Sequence, residues 1–463
     1  MKIYPVQPET SEYLQDESRL RGAADEIAFP ETEEDVCALL ASGTPVTLQG
    51  ARTGITGGAV PQGGRILNLS KMNSIEEPEN GLLTVGPGTL LCDVHKKLEG
   101  TGLFFSPDPT EDTASLGGMA ACNASGARSF KYGSMRRHIE TLRVVFADGT
   151  AREIRRGEPV PPEVPLPAYR VPDVKSAAGY YVADEMDFLD LFIGAEGTLG
   201  IITELTLQLS AVPNAIWGLT AFLPSEKAAL GFVQKLRKET APAAIEFFDF
   251  NALNLLRKNP DLPKLAPEFH TAVYAEFHGT DDNVEAAVTE AAEMMADFGA
   301  DPDAAWVAME SAELERMRLF RHALPEAINQ LIAERKREYP ELTKLGTDMS
   351  VPDDRLEEIM KLYRQGLERE KLEHVIFGHI GNNHVHVNIL PRNPNEYERG
   401  KALYAEWAKQ VVQMGGSVSA EHGIGKLKRD FLRIMFGDKG IEEMQNLKAY
   451  FDPVGLLNPG NLF

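Results

Sequence analysis

The order of strands and helices in residues 216–309 constrains the fold more than any other feature of the sequence. Apolar runs of strand length alternate there with longer amphipathic runs of helix length. The predicted strands are 216–222, 244–249, 271–278 and 304–309, and the predicted helices are 225–238 and 282–298. This β-α-β-β-α-β order is that of a ferredoxin-like sheet with its helices on one face.

Three further elements are expected after this core. The sequence predicts a helix over 311–337 that is interrupted at Pro325, because proline lacks the N–H that a helix interior needs. It predicts a strand at 346–351 and a helix at 353–371. That helix leads into a pair of strands that carries histidines.

Residues 20–210 have a different character, with short strands separated by glycine-rich loops. The candidate strands are 45–48, 66–69, 82–85, 142–146 and 201–209, and 90–98 is a candidate helix. Pro213 marks a boundary, and 463 residues exceed what one hydrophobic core usually supports. We therefore expect an α+β protein with a first domain at 1–212 and a second that begins at 213.

Charge and composition exclude several classes of protein. A formal net charge of −22, without a block of Lys and Arg, disfavours nucleic acid and anionic lipid as partners. No run approaches the roughly 18 apolar residues of a spanning helix, and the N-terminus lacks a signal-peptide core. We expect no transmembrane segment and a cytoplasmic location, with peripheral attachment to a membrane left open.

The three cysteines, Cys37, Cys92 and Cys122, are scattered along the chain. Their spacing allows neither a disulfide framework, nor a zinc ribbon, nor an iron–sulfur cluster. Any metal ion must therefore use histidine and carboxylate ligands.

Three segments rich in glycine and other small residues punctuate the first domain, at 50–58, 107–126 and 194–202. Small residues let backbone N–H groups approach a ligand closely, as a diphosphate cradle requires. None of the three is a Walker A loop or a G-x-G-x-x-G turn into a helix, so ATP and a Rossmann-bound NAD are poorly supported. Together they indicate a long, partly buried ligand that lies along many backbones.

Two short segments, 378–386 and 421–425, hold four of the ten histidines. His384 and His386 are two apart in a predicted strand and would face one side, and the turn at 381–383 could fold His379 toward them. Geometry alone leaves several ligand triads open, and a single histidine is more often structural than a ligand. Four histidines and Glu421 among glycines nevertheless favour a catalytic or metal site, and thus an enzyme.

The order of these segments, with Tyr132-Gly133 and the ending 452–460, resembles the FAD-linked oxidases of the vanillyl-alcohol oxidase type. The resemblance extends from Phe29-Pro30 to Asn458-Pro459-Gly460 and is strongest to the D-2-hydroxyacid dehydrogenase branch. It implies a PCMH-type FAD-binding domain at 1–212 and a ferredoxin-like α/β substrate (cap) domain at 213–450 that carries a metal site. The segment 451–463 would return to the FAD domain.

By the same resemblance, FAD would be held by the three small-residue loops and by the C-terminus. The implied residues are Arg52, Thr53, Gly54, Thr56, Gly57, Gly58, Pro107, Asp108, Ser115, Gly117, Gly118, Ser125, Gly126, Tyr132, Gly133, Glu196, Gly197, Ile201, Ile202 and Asn458. Relatives with covalent flavin place a His or Cys beside the ring. The loop Ala51-Arg52-Thr53 has neither, which implies non-covalent FAD.

The resemblance also assigns roles around the histidines. His379, His386 and Glu421 would bind a divalent metal ion, usually zinc, and two histidines with one carboxylate leave open positions for a substrate. His422 would be the general base; the alternative is a structural cap of the turn that follows it. The substrate contacts would be Arg321, Asn388, His384 and, more weakly, Lys344, and the alternative for Arg321 is a solvated helix surface.

Two departures from the family pattern bear on the substrate. Asn382-Asn383-His384 stands where the family has Asp-Gly-Asn, so an additional imidazole enters the site. Pro325 stands where D-2-hydroxyglutarate enzymes have a substrate-binding Thr, which favours a short acid such as D-lactate or glycolate.

The resemblance implies a dehydrogenase that oxidises a D-2-hydroxyacid to the 2-oxoacid and passes electrons to a quinone, a cytochrome, an electron-transfer flavoprotein or a partner subunit. The alternatives are an oxygen-using oxidase of the same fold, a zinc-dependent hydrolase without flavin, and a catalytically silent flavin-binding subunit. The oligomeric state, with a homodimer among the options, stays open.

Overall fold

In a computed structural model, which describes residues 2–463, the chain forms two compact units. Unit 1 comprises residues 2–126, 133–212 and 418–463, and unit 2 comprises residues 127–132 and 213–417. The break at 212/213 coincides with the expected boundary. Unit 1 also takes in 418–450, however, because the Ser419 carbonyl accepts from the Ala177 N–H, and the N–H groups of Lys426 and Leu427 donate to the Thr56 carbonyl.

Unit 1 is built mainly from short strands. Numbered along the chain, its strands are β1 (Lys2–Pro5), β2 (Glu26–Phe29), β3 (Val46–Gln49), β4 (Arg65–Asn68), β5 (Leu82–Val85), β6 (Leu103–Phe104), β7 (Ile139–Val145), β8 (Ala151–Arg155), β9 (Ile201–Gln208) and β10 (Ser210–Ala211). Its α-helices are α1 (Glu33–Leu40), α2 (Leu91–Leu98), α3 (Leu116–Ala121) and α11 (Arg429–Phe451), the last kinked at Gly437.

Two four-stranded sheets form the frame of unit 1. One has the order β1-β2-β4-β3, with β2, β4 and β3 parallel, and the other has the antiparallel order β5-β9-β7-β8. Helix α1 begins at Thr32, whose side chain accepts a hydrogen bond from the Asp35 N–H, and it packs Val36 and Leu39 into the core. Leu457 of the C-terminal segment lies parallel to Val46 in the same core, as the predicted return of the C-terminus requires.

Unit 2 alternates longer helices with strands. Its strands are β11 (Ala215–Leu223), β12 (Ala244–Phe248), β13 (Thr271–Gly279), β14 (Trp306–Ala308), β15 (Leu345–Gly346), β16 (His374–Gly378) and β17 (His386–Ile389). Its α-helices are α4 (Ser129–Tyr132), α5 (Glu226–Glu239), α6 (Phe250–Leu256), α7 (Asp281–Asp297), α8 (Ser311–Arg335), α9 (Leu356–Glu370) and α10 (Pro394–Gln413).

These strands form a single seven-stranded sheet in the order β14-β11-β13-β12-β16-β17-β15. The first four strands of this order are the fourth, first, third and second of the β-α-β-β-α-β segment, which confirms the predicted ferredoxin-like core. The short helix α6, between β12 and β13, was not predicted. The strands β16, β17 and β15 extend the core and carry the histidine segment.

One face of this sheet gathers the polar residues of unit 2. Residues paired directly across strands point to the same side. The pairs Glu246↔Tyr274, Phe248↔Phe377 and Phe377↔His386 therefore place Glu246, Tyr274 and His386 on one face. Asn388, two residues beyond His386, lies on that face as well.

Helix α8 covers this face. Its buried side chains recur at helical spacing, and they are Met317, Phe320, Leu324, Ile328 and Ile332. The predicted interruption at Pro325 is wrong, because α8 runs through it from Ser311 to Arg335. This apolar stripe packs on Phe248 and Tyr274 and offsets the loss of one helical hydrogen bond.

The predicted strand at 346–351 is mostly wrong. Only Leu345–Gly346 pairs as a strand, because the Thr347 hydroxyl accepts the Val387 N–H at 2.9 Å in place of a backbone carbonyl. The Thr347 carbonyl oxygen is thereby left for another donor.

None of the helices in residues 2–463 combines the length and the apolar character that a membrane span requires.

Candidate active site

The turn between β16 and β17 brings three histidines together. After Gly378 the chain makes a 3-10 turn at Ile380–Asn382, and Asn383 then adopts a left-handed conformation with φ 51°. One ring nitrogen from each of His379, His384 and His386 lies within 4.8 Å of the others. The expected folding of His379 toward the other two histidines is therefore correct.

Gly378 is required at the start of this turn. Its φ is 114°, and a Cβ there would lie 2.7 Å from Cδ2 of His386. The end of the turn is held by Asn383, whose Nδ2 donates to Asp353 Oδ1 at 2.8 Å and whose Oδ1 accepts from Arg237 at 2.5 Å. Burial lowers the pKa of Arg237 to about 10.

Each of the three imidazoles has an oxygen atom beside one nitrogen, and His379 and His386 donate a hydrogen bond to it. His379 Nδ1 donates to Glu246 Oε1 at 2.7 Å, and His386 Nδ1 donates to the Thr347 carbonyl oxygen at 3.1 Å. His384 Nε2 lies 3.1 Å from an oxygen of Asp348, and both side chains are 0–1% exposed. Histidines that bind metal ions typically have their second nitrogen held in this way by a carboxylate or a carbonyl. The donor set fits a divalent metal ion that favours nitrogen ligands.

The proposed substrate residues of unit 2 lie on or over the same sheet face. The Arg321 guanidinium of α8 lies 5.4 Å from the ring centroid of Tyr274, and Asn388 is 4% exposed beside β15. Lys344 is not brought to Arg321: its Nζ donates to Asn329 Oδ1 at 3.0 Å, about 12 Å further along α8. Burial lowers the pKa of Lys344.

A buried polar network on β13 adjoins Arg321. Glu276 accepts hydrogen bonds from Arg128 Nε at 2.8 Å, from the Tyr274 hydroxyl at 2.8 Å and from His278 Nε2 at 2.7 Å. Burial opposes ionisation of Glu276, but the His278 hydrogen bond and the Arg128 charge outweigh it and lower the pKa of this carboxyl. The Tyr132 hydroxyl is 2.8 Å from His278 Nδ1, so this predicted flavin residue is part of the network.

In unit 1, Glu196 fixes the segment that carries Glu421 and His422. Its carboxylate accepts the N–H groups of Ile424 at 2.6 Å and Gly425 at 2.8 Å, and burial raises the pKa of the Glu196 carboxyl. The Thr56 hydroxyl donates to the His422 carbonyl oxygen at 3.3 Å. The imidazole of His422 remains 29% exposed.

The Glu421 carboxylate is held through one oxygen. Its Oε2 accepts from Lys175 Nζ at 2.6 Å and from the Ser125 hydroxyl at 3.1 Å, while Oε1 lies 3.6 Å from His422 Nε2. Lys175 is 5% exposed, so this ion pair is largely shielded from water.

The loop that was predicted to hold a diphosphate fits an anion. The N–H groups of residues 53–58 make no hydrogen bond to any described residue, although Thr56 and Gly57 are buried. Buried N–H groups are nearly always paired, so this run is suited to phosphate oxygens. Nearby, Lys426 Nζ donates to the Gly57 carbonyl oxygen at 3.3 Å, and burial lowers the pKa of Lys426 to about 8.

The side chains of several predicted flavin residues contact other residues of unit 1. Arg52 lies 4.2 Å from the ring centroid of Tyr13 and pairs with Glu12, so its backbone, not its guanidinium, faces the loop. Ser115 Oγ accepts the Ala51 N–H at 3.3 Å. The Asn458 side chain accepts from Leu48 N–H and donates to the Glu196 carbonyl oxygen, both at 2.6 Å.

The other predicted flavin residues lie in the loops and turns of unit 1 or at the start of β9. Gly126 approaches the Asp108 carbonyl so closely that a Cβ would lie 1.9 Å from it. Gly117 and Gly118 open α3 beneath Pro87, and Gly133 and Gly197 have positive φ. Ile201 and Ile202 are buried in β9. Pro107, Thr53, Gly54 and Gly58 lie in the loops themselves.

Three carboxylates that face the histidines are not evident from the sequence. Glu246, Asp348 and Glu276 were not singled out, although each is a single acid within an apolar segment. An acid in a buried strand requires a partner, and that was the available signal. Which partner it meets depends on strand pairing.

Comparisons with known proteins identify the family of the chain. Residues 24–155 match the FAD binding domain family, and residues 212–462 match the C-terminal domain of FAD linked oxidases. A probable mitochondrial D-lactate dehydrogenase of Danio rerio is 34% identical over 448 residues, which cover 95% of this chain and 84% of that protein. Glycolate oxidase subunit GlcD of Bacillus subtilis is 31% identical over 426 residues, which cover 90% of this chain and 84% of the subunit.

A solved structure shows the same fold. Alkyldihydroxyacetonephosphate synthase matches with a TM-score of 0.68 at 18% identity, covering 95% of this chain and 77% of the synthase chain. The matched families assign FAD as the cofactor, and the unpaired N–H groups at 53–58 fit its diphosphate. The chain belongs to the FAD-linked oxidases and is an FAD-dependent oxidoreductase.

Proposed function

We propose that this protein is a divalent-metal-assisted dehydrogenase that oxidises a short D-2-hydroxyacid, such as D-lactate or glycolate, to the 2-oxoacid. The observation that carries the proposal is the set of three histidines on unit 2, whose ring nitrogens lie within 4.8 Å of one another. The relatives named for D-lactate and glycolate support the substrate class. The electron acceptor would be a quinone, a cytochrome, an electron-transfer flavoprotein or a partner subunit.

The metal ion is proposed to be zinc, with His379, His386 and Glu421 among its ligands. Glu246 and the Thr347 carbonyl hold the two imidazoles through Nδ1, which leaves Nε2 as the ligand atom of each. Lys175 and Ser125 hold Oε2 of Glu421, and Oε1 is the proposed ligand atom. A bound zinc ion would supply a Lewis acid that lowers the pKa of the substrate hydroxyl.

His422 is the proposed general base. Its backbone is fixed by Glu196 and Thr56, while its imidazole is 29% exposed, as contact with a substrate requires. The imidazole would take the hydroxyl proton as the carbonyl double bond forms. Bound, non-covalent FAD would supply the acceptor for the α-hydrogen and its electron pair, so the acid loses one proton and one hydride overall.

The substrate carboxylate requires a cation, and Arg321 is the proposed partner. A guanidinium can bind a carboxylate through two parallel hydrogen bonds. Arg321 lies over Tyr274, beside the Glu276 network, which holds its surroundings rigid. Asn388 is the proposed second contact, because it lies on the same sheet face two residues beyond His386.

The decisive experiment is an anaerobic flavin-reduction screen. The purified protein should be yellow, and one short D-2-hydroxyacid from a panel of D- and L-acids should bleach its visible flavin absorption. If no acid reduces the flavin, the proposed function is wrong. Oxygen consumption at the turnover rate with substrate alone would identify the oxidase alternative instead.

The role of His422 is tested in the same assay. The variant His422→Asn should retain its flavin, while the rate of flavin reduction falls by about 10²–10⁴-fold, the usual contribution of a general base. His95→Asn, at an exposed site on α2 of the same unit, is the matched control and should reduce at the wild-type rate. Normal reduction by His422→Asn would place the base elsewhere.

A further inference from the structure

We propose that His384 is a third imidazole ligand of the metal ion and that Asp348 is the carboxylate that orients it. This inference rests on the proposed metal site and changes its composition. It differs from the substrate-binding role expected for His384. The ligand set on unit 2 would then be three histidines.

The position of the His384 ring supports this assignment. Its centroid lies 4.5 Å from that of His386 and 5.5 Å from that of His379. His384 Nε2 lies 3.1 Å from Asp348 Oδ1, so we assign the role of metal ligand to Nδ1. Its ligand atom belongs to the same group of nitrogens within 4.8 Å.

Burial strengthens the argument. The side chains of His384 and Asp348 are 0% and 1% exposed, so neither can rely on water. One nitrogen of each ring lies within 4.8 Å of the others, a separation at which a single cation could contact all three.

The three histidine rings have similar surroundings, because an oxygen atom lies beside one nitrogen of each ring. Glu246 faces His379, the Thr347 carbonyl faces His386, and Asp348 faces His384, each at 2.7–3.1 Å. Every ring therefore has a buried oxygen beside one of its nitrogens, and the other nitrogen of each ring is the proposed ligand atom. Three nitrogen donors favour zinc, cobalt or nickel over magnesium or calcium.

Metal affinity provides the first test. Zinc dissociation constants would be measured on the purified flavoprotein by competition with a chromophoric chelator. We expect His384→Asn to weaken binding at least about 100-fold and Asp348→Asn to weaken it about 10–100-fold, as outer-sphere partners do. His270→Asn, a half-buried histidine of unit 2 outside the cluster, should stay within about twofold of wild type. Flavin content and melting temperature show that each variant is folded.

A second test uses the unmodified protein, so folding of a variant plays no part. Each metal-bound imidazole keeps one exchangeable N–H, and a paramagnetic ion shifts its proton resonance strongly. The cobalt(II)-loaded wild-type protein should show three such shifted, solvent-exchangeable imidazole resonances in its proton NMR spectrum. Two resonances would overturn the proposal.

The outcomes separate this inference from the proposed function. If wild type binds zinc tightly and His384→Asn binds it equally well, His384 is not a ligand, while the dehydrogenase proposal stands. If His384→Asn keeps the zinc affinity of wild type and changes only the KM for the acid, the inference is likewise wrong, and His384 contacts the substrate. If wild type binds no metal, both this inference and metal assistance fail. The flavin-reduction screen then tests separately whether the protein oxidises a hydroxyacid without a metal ion.

Discussion

Buried carboxylates position the histidines of unit 2. Glu246 meets His379 at 2.7 Å, and Glu276 meets His278 at the same distance. Both acids occupy strands that are almost entirely buried, so each needs hydrogen-bond donors from the protein, and an imidazole is one of them. Such pairs fix the tautomer and the ring orientation that a ligand needs.

The Glu276 network should make stability depend on pH. The pKa of Glu276 in the folded protein is below its ordinary value of 4.5. The ionised carboxylate therefore stabilises the fold fully above pH 4.5. This stabilisation is lost as the pH falls through the lower pKa of the folded state. Glu276→Gln should lose about 2–4 kcal/mol at pH 7, because it leaves Arg128 and His278 without their carboxylate. The loss should shrink markedly by pH 3.

Melting temperatures of wild type and variant, measured at pH 7 and pH 3, check this expectation. Glu285→Gln, at an exposed position on α7, is the matched control and should melt as wild type does at both pH values. A wild-type-to-variant difference that does not change with pH would contradict an ionised Glu276.

At the scale of elements, the segment 421–425 owes its shape to distant contacts. Gly425 has a φ of 51°, and a Cβ there would lie 2.3 Å from the Thr56 carbonyl oxygen. Glu196 accepts two successive N–H groups of this segment. Strand and helix patterns do not extend through it, so packing alone sets its course.

Glu196→Gln should impair catalysis by loosening this segment. A glutamine offers a single acceptor oxygen, so one of the two N–H groups loses its partner at a cost of about 1–3 kcal/mol. We expect a lower rate of flavin reduction with little change in the KM for the acid, because the substrate contacts are elsewhere. Rapid anaerobic mixing measures both quantities.

Glu204→Gln provides the comparison, since Glu204 is a partly buried acid on β9 of the same unit. It should reduce its flavin as fast as wild type. Equal rates of flavin reduction for Glu196→Gln and wild type would show that the Glu196 carboxylate does not position His422.

At the scale of the whole molecule, the loop suited to the flavin diphosphate and the three histidines lie on different units. The unpaired N–H groups of 53–58 belong to unit 1, and the three histidines belong to unit 2. Removal of the metal ion by a chelator should therefore leave the yellow colour intact while flavin reduction slows. Added zinc should restore the rate.

A chelator that has been saturated with zinc beforehand is the control and should leave the rate unchanged. Flavin release in step with metal release, followed by absorption of the filtrate, would contradict separate binding.

Local patterns in the sequence were enough for the ferredoxin-like core and for the histidine turn. Hydrophobic alternation and helical spacing depend only on residues that are close in sequence. They therefore predict where β11, β12, β13 and β14 occur along the chain without any knowledge of distant contacts. They failed at Pro325, where the stripe of α8 packs on the sheet and overrides the local preference of proline. They also failed at 346–351, where the Thr347 side chain replaces a backbone partner.

The sequence alone determined the family, the positions of the glycine-rich loops and the histidine segments, because each of these features is a motif of neighbouring residues. Only the tertiary structure decided which oxygen faces each imidazole. Glu246 is 133 residues from His379, and Glu196 is 228 residues from Ile424. Contacts over such separations follow from strand order, register and packing, which no short stretch of sequence specifies.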